Sequence, residues 1–227
     1  MATRFRLPNS GAAAVSPATQ SYSHTQPSNL RMAMPTTDAS ALATVGYTAD
    51  AADHLVAGDA LHRQYVSAAM AAGNVFTTGD TLKTAVQMNE NNAGDNMSFQ
   101  LWVGVVSEDG TTARATLRSK VEDAGELPTT ITNRFLTTTL SGTYETVAGD
   151  RLVVEFSSEG TPTAAGGVQG HNGQMRWGSN GAGGDLPEND TDTGTTLNPW
   201  IEFATTIAFA SGSVVPILLG HYRRMTD

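Results

Sequence analysis

Ser-Phe-Gln-Leu-Trp-Val-Gly-Val-Val, residues 98–106, is the stretch from which the fold can be read. Phe99, Leu101, Val103 and Val105 recur at every second position, with Gln100, Trp102 and Gly104 between them. A period of two puts the first set on one face of a strand and the second on the other, and aromatic and β-branched residues suit a pleated surface. Turn chemistry bounds it: Asn-Ala-Gly-Asp-Asn at 92–96 before it and Glu-Asp-Gly at 108–110 after it. Trp102 stands on the less apolar face and needs a cover, whether a second layer, an arm or a neighbouring subunit. The stretch reads as the central strand of a sandwich.

Outward from it, residues 113–121 alternate around Ala115 and Leu117 and are expected to return antiparallel across the Glu-Asp-Gly turn. Further strands are expected at 42–47, 61–66, 82–88, within 129–143, at 152–156, 174–177 and 199–209. Gly-Asp recurs at 58–59, 79–80 and 149–150, each time opening such a run. Gly supplies a positive φ and Asp accepts from nearby backbone donors, so the pair makes a compact strand entry. The Ala-rich 66–74 lacks caps and a long apolar stripe, which favours a loop over a helix. Short strands, turn clusters and no convincing helix predict an all-β chain: an antiparallel, jelly-roll-like β-sandwich over residues 40–210.

Two extensions flank it. Residues 1–39 carry Pro8, Pro17, Pro27 and Pro35 without sustained periodicity and read as an extended arm. Residues 211–227 hold an apolar patch, Val214, Val215, Ile217, Leu218 and Leu219, followed by Arg223 and Arg224. The arm's Arg4, Arg6 and Arg31 have no acid among them, and Phe5 and Leu7 are apolar anchors. Arg4, Phe5, Arg6, Leu7, Arg31, Val215, Ile217, Leu218, Arg223 and Arg224 are therefore the expected partner-binding residues, and deleting 1–37 is expected to leave the body folded.

The 227 residues carry a net charge of −9, with the acids concentrated in the body. Such a surface repels nucleic acid. No apolar run has the length of a membrane span, and Pro8 to Gly11 fall where a signal peptide would turn apolar, so synthesis and retention in the cytoplasm are expected. Without cysteine, neither disulfides nor thiolate metal sites are available.

Chemistry-bearing motifs are sparse. Asp185, Glu188, Asp190 and Asp192, with Gly194, have the alternating hard-oxygen spacing of a Ca2+ loop but lack its distal bidentate Glu; a solvated acidic loop is the default. The five histidines have no zinc spacing, a Gly-x-Ser-x-Gly elbow is absent, and Gly166 to Gly184 lacks the Lys-Ser/Thr of a phosphate loop. No cofactor and no catalytic residue is assigned, and no enzyme activity is expected. Trp102, Trp177, Trp200, Tyr47, Tyr65 and Tyr144 could line a sugar platform, with Trp177, in its Gly-rich surroundings, the one expected to be exposed.

The opening Arg-Phe-Arg-Leu-Pro-Asn-Ser-Gly, the Gly-Asp entries, Ala-Gly-Asp-Arg-Leu-Val-Val-Glu and Gly-Gly-Val-Gln-Gly-His-Asn-Gly resemble virion structural proteins of tailed bacteriophages. The resemblance implies a capsid decoration or cement protein with a jelly-roll body. Its partners would be the major capsid protein and neighbouring copies of itself, most simply as a trimer. The protein would be made in the host cytoplasm and assembled on the particle. A head or tail fibre or receptor-binding protein is the alternative, and a glycan-binding module comes third.

Overall fold

The computed structural model describes residues 2–25, 30–36, 58–160, 171–178, 184–193 and 197–210, together with the backbone of 43–50. The expected residues 211–227, with Val215, Ile217, Leu218, Arg223 and Arg224, lie outside the described residues.

The described chain is all β. Its strands are β1 (Thr3–Arg6), β2 (His24–Thr25), β3 (Arg31–Met34), β4 (Ala43–Asp50), β5 (Gly58–Ser67), β6 (Val75–Phe76) and β7 (Thr81–Glu90). They continue as β8 (Met97–Val106), β9 (Ala113–Glu126), β10 (Thr132–Thr139), β11 (Tyr144–Glu145), β12 (Arg151–Gly160), β13 (His171–Trp177) and β14 (Trp200–Phe203). The Ala-rich stretch after β5 forms no helix. No described helix is long and apolar enough to cross a membrane.

Two six-stranded sheets form a sandwich. In sheet A the order is β1-β14-β7-β13-β4, with β10 also paired to β7; in sheet B it is β2-β5-β12-β8-β9, with β3 also beside β5. β6 and β11 form a small separate ribbon. Neighbours distant in sequence, such as β5, β12 and β8, show that the chain crosses between sheets rather than meandering. Here β12 takes the middle of sheet B and β8 lies next to it, so residues 98–106 form an inner strand but not the central one. The arm strands β2 and β3 lie parallel to β5, a departure from the antiparallel expectation.

Period-two alternation along β8 and β12 separates the core face from the outer face, as expected. Phe99, Leu101, Val103 and Val105 all face the core, joined by Leu152, Val154 and Phe156 of β12 and by Leu82, Val86, Met88, Met175, Ile201 and Phe203 of sheet A. β9 returns antiparallel across the 108–110 turn, which Asp109 clamps by accepting from the Ser107 hydroxyl at 2.6 Å and the Thr111 N–H at 3.1 Å. Two of the three Gly-Asp entries are one device. Gly79 and Gly149 have φ of 96° and 94°, while Asp80 and Asp150 accept the Thr77 and Val147 N–H groups at 3.0 Å. At 58–59 the Asp does something else, described below.

The segment expected to be a free arm is part of the body. β1 is an edge strand of sheet A, with Phe5 opposite Ile201, and Phe5 and Leu7 are fully buried. The chain then passes to sheet B at Pro8, whose carbonyl accepts from the Tyr65 hydroxyl at 2.8 Å and the Arg63 guanidinium at 3.3 Å. β3 buries Met32 and Met34. Alternating Phe5 and Leu7 were the edge-strand signal, and four prolines elsewhere in the arm obscured it.

Candidate functional site

Each sheet carries an extended strap over its outer face. On sheet A the strap is the acidic segment 184–193. Leu186 packs on Trp200 and Ala85, and the Trp200 indole N–H donates to the Leu186 carbonyl at 2.7 Å. Asn133, fully buried, donates its amide to the Pro187 and Asn189 carbonyls. The acids proposed as a Ca2+ loop have other partners. Asp185 bridges Arg4 at 2.8 Å and Arg6 at 2.9 Å, Glu188 holds Lys83 at 2.8 Å, and Asp190 accepts the Phe135 N–H at 2.6 Å. The Asp192 carbonyl accepts the Asn133 N–H at 2.8 Å. The Asp185, Glu188 and Asp190 side chains are taken up by Arg4, Arg6, Lys83 and a backbone N–H instead of converging on one centre. Among the described residues no group of three or more potential ligands could hold a metal ion.

Arg4 also bonds Glu202 at 2.9 Å and lies 3.8 Å over the Trp200 ring. Arg31 donates to the Pro17 carbonyl at 3.0 Å. Within this single chain the expected grip residues Arg4, Phe5, Arg6, Leu7 and Arg31 engage the chain's own acids, core and backbone.

On sheet B the strap is residues 12–25, and here lies the most constrained polar site. Alternation along β12 sends Glu155 outward, away from the core that Val154 and Phe156 enter. It stands between Gln64 of β5 and Trp102 of β8 in the strand register. Even so, it is 0% exposed, because the strap crosses it. Its carboxylate accepts the Gln20 N–H at 3.2 Å on each oxygen, the Tyr22 hydroxyl at 2.9 Å and the Gln64 amide at 2.9 Å. Burial raises the Glu155 carboxyl above its usual range, against the lowering effect of these donors. Burial likewise raises the Tyr22 phenol, helped by the Glu155 charge, so it stays a donor.

Neighbouring groups extend the site. Asp59, of the third Gly-Asp pair, accepts the Ser23 N–H at 2.8 Å and pairs with Lys120 of β9, whose ammonium lies 3.8 Å over the Tyr22 ring. Val15 and Pro17 lie against the turn at Gly110. Trp102 is 7% exposed and packs with Val106 and Val153, its ring in the space a Gly104 side chain would occupy. The sequence placed Glu155 outward, but nothing in it marked the residue as a hub. The available signal was Val153, an apolar neighbour on the same outward face.

Other candidates close on inspection. His62 Nε2 lies 2.9 Å from Ser158 Oγ, but both are sealed in the interior and burial lowers the imidazole to about 3, so it stays neutral. Trp177, expected to be exposed, is fully buried between Tyr65 and Phe156, with ring centroids 5.2 and 5.5 Å away. With Trp102, Trp200 and Tyr65 also buried, these four rings form no sugar platform.

A second buried carboxyl, Glu90, accepts the Met97 N–H at 3.1 Å near Glu126 and Asp95, and burial with those acids pushes it up to about 7. Because the folded state holds this proton more tightly than the unfolded chain, its stabilising contribution is present below the ordinary Glu range and is lost as pH rises through about 7. Glu90→Gln is therefore expected to raise the melting temperature at pH 8 and leave it nearly unchanged at pH 4. Equal shifts at both pH values would contradict the raised pKa.

Fold and site together define a strapped β-sandwich with a buried acceptor for an extended chain segment. No family model matches the sequence, and no curated protein matches it. Among solved structures, a CocE/NonD family hydrolase from Staphylococcus aureus is similar, with TM-score 0.42 and 8% identity, covering 91% of this chain and 37% of that one. An α-amino acid ester hydrolase follows, with TM-score 0.39 and 6% identity over 90% of this chain and 36% of that one. A structure of infectious bursal disease virus has TM-score 0.24 and 12% identity over 74% of this chain and 37% of that one. The chain thus spans little more than a third of the hydrolases it resembles. These likenesses are to hydrolases and not to a phage cement or fibre protein, and the expectation of a non-enzymatic capsid cement protein, with its fibre alternative, is withdrawn. At these scores the likenesses assign no reaction or role to this chain.

Proposed function

We propose that this chain is a polypeptide-binding β-sandwich, in which the outer face of sheet B receives an extended chain segment. The resident segment here is the chain's own residues 12–25. The observation that supports this reading is Glu155: a fully buried carboxylate whose donors come partly from the strap, as the Gln20 N–H and the Tyr22 hydroxyl. Burying a carboxylate without donors is costly, so a segment that covers this face must bring donors at this spacing. Main-chain donation gives register, and the tyrosine gives sequence preference.

The test weakens the resident segment within the full chain. Gln20→Pro removes the main-chain donor and Tyr22→Phe removes the hydroxyl. A labelled peptide of the unaltered residues 12–25 is expected to bind this double variant, and to bind about tenfold more weakly or worse when Glu155→Ala is added. Equal binding with and without Glu155, or no binding to either variant, would overturn the reading.

A further inference from the structure

We propose that the N-terminal segment, residues 2–36, exchanges between copies of this chain, so that the segment of one copy fills the sheet edges and the Glu155 site of another. This rests on the reading of sheet B as a segment-binding face and names its partner as a second copy.

Topology permits it. β1 ends the order of sheet A, and β2 and β3 lie along the outer side of β5 in sheet B. Among the described residues, beyond β3 comes only more of the same segment, where Ala12 bridges Met32 and the Ala33 N–H donates to the Gly11 carbonyl at 2.8 Å. An incoming copy can therefore replace the segment without parting any two strands of the body. A segment threaded between body strands could not be exchanged so cheaply.

Energetics make the exchange reciprocal. A body that lost its segment would expose the surfaces covering Phe5, Leu7, Met32 and Met34, and Glu155 would meet water in place of Gln20 and Tyr22. A vacated body is therefore unstable, and the matching occupant is an identical segment. Two copies swapping segments keep the contacts each segment makes within one copy, satisfied in trans instead of in cis. Charge favours the same occupant: Arg4 and Arg6 meet Asp185 and Glu202 on an otherwise acidic body.

The chain has no cysteine, so introduced thiols report without background. Arg4 and Glu202 are directly opposed in the β1–β14 register. Arg4→Cys is made in one preparation and Glu202→Cys in a second of different mass. The two are mixed at high concentration, warmed, cooled and oxidised. Exchange is expected to yield a disulfide-linked dimer containing one chain of each kind, joined at 4 and 202, in a yield that rises with concentration. The double variant Arg4→Cys/Glu202→Cys, oxidised when dilute, is expected to close within one chain. If the double variant closes internally while the mixture gives no mixed dimer, exchange is overturned and the segment-binding reading stands. If the double variant fails to close and the mixture also gives no dimer, the docking of the segment itself is wrong.

Discussion

Phe5→Ala is expected to lower the unfolding free energy by about 3–5 kcal/mol, the usual cost of emptying a buried phenylalanine site. Phe5 is fully buried, with its ring edge-on to Phe203 and Phe209 at 6.0 and 5.9 Å. Against a total stability of about 5–15 kcal/mol for a typical domain, one residue near the N-terminus thus decides a large share. The same geometry reverses the expectation that removing residues 1–37 leaves the body intact. The deletion takes Phe5, Leu7, Met32 and Met34 out of the shared core and uncovers edges of both sheets. It is expected to unfold the chain or drive it to aggregate. Urea unfolding of Phe5→Ala at neutral pH measures the effect, and an unchanged midpoint would mean that the segment contributes nothing to the fold.

Glu155→Ala should come next in size, at about 2–4 kcal/mol, because it strands the Gln20 N–H, the Tyr22 hydroxyl and the Gln64 amide, each worth about 1–3 kcal/mol when left buried and unsatisfied, less what water recovers. The deficit depends on pH with a definite sign. Burial raises the folded-state pKa, so the wild-type contribution of Glu155 is fullest below the ordinary carboxylate range and declines as pH rises through the raised value. The alanine variant lacks that titration, so its deficit is larger at pH 4 than at pH 8. Hydrogen exchange gives a local readout: the Gln20 amide should lose protection in Glu155→Ala, while Tyr22→Phe, which removes a single donor, should cost about 1 kcal/mol. Unchanged protection at Gln20 would remove Glu155 from the centre of the strap.

Where a property is carried by neighbouring residues, the sequence alone was sufficient. Alternation at 98–106 and 152–156 assigned core faces that the structure keeps, and Gly79-Asp80 and Gly149-Asp150 form the tight entries their chemistry implies. Errors came where burial depends on what lies opposite. Trp177 sits among glycines in sequence yet packs on Tyr65 and Phe156, and Asp185, Glu188 and Asp190, read by default as a solvated loop, turn to Arg4, Arg6, Lys83 and a backbone amide. The arm's anchors were visible, but not their destination.

By itself, then, the sequence determined the main strands of the body, their inward faces and the turns, because side-chain alternation and glycine φ act within a few residues. Only the tertiary structure decided that β12 is the central strand of sheet B, that residues 2–25 and 30–36 belong to the body, and that Glu155 is a buried hub. Tyr22 and Glu155 are 133 positions apart, and a carboxylate on an outward face is solvated or sealed according to which distant segment crosses it. That choice depends on the free energy of covering two sheet edges at once, to which no short stretch of the chain gives access.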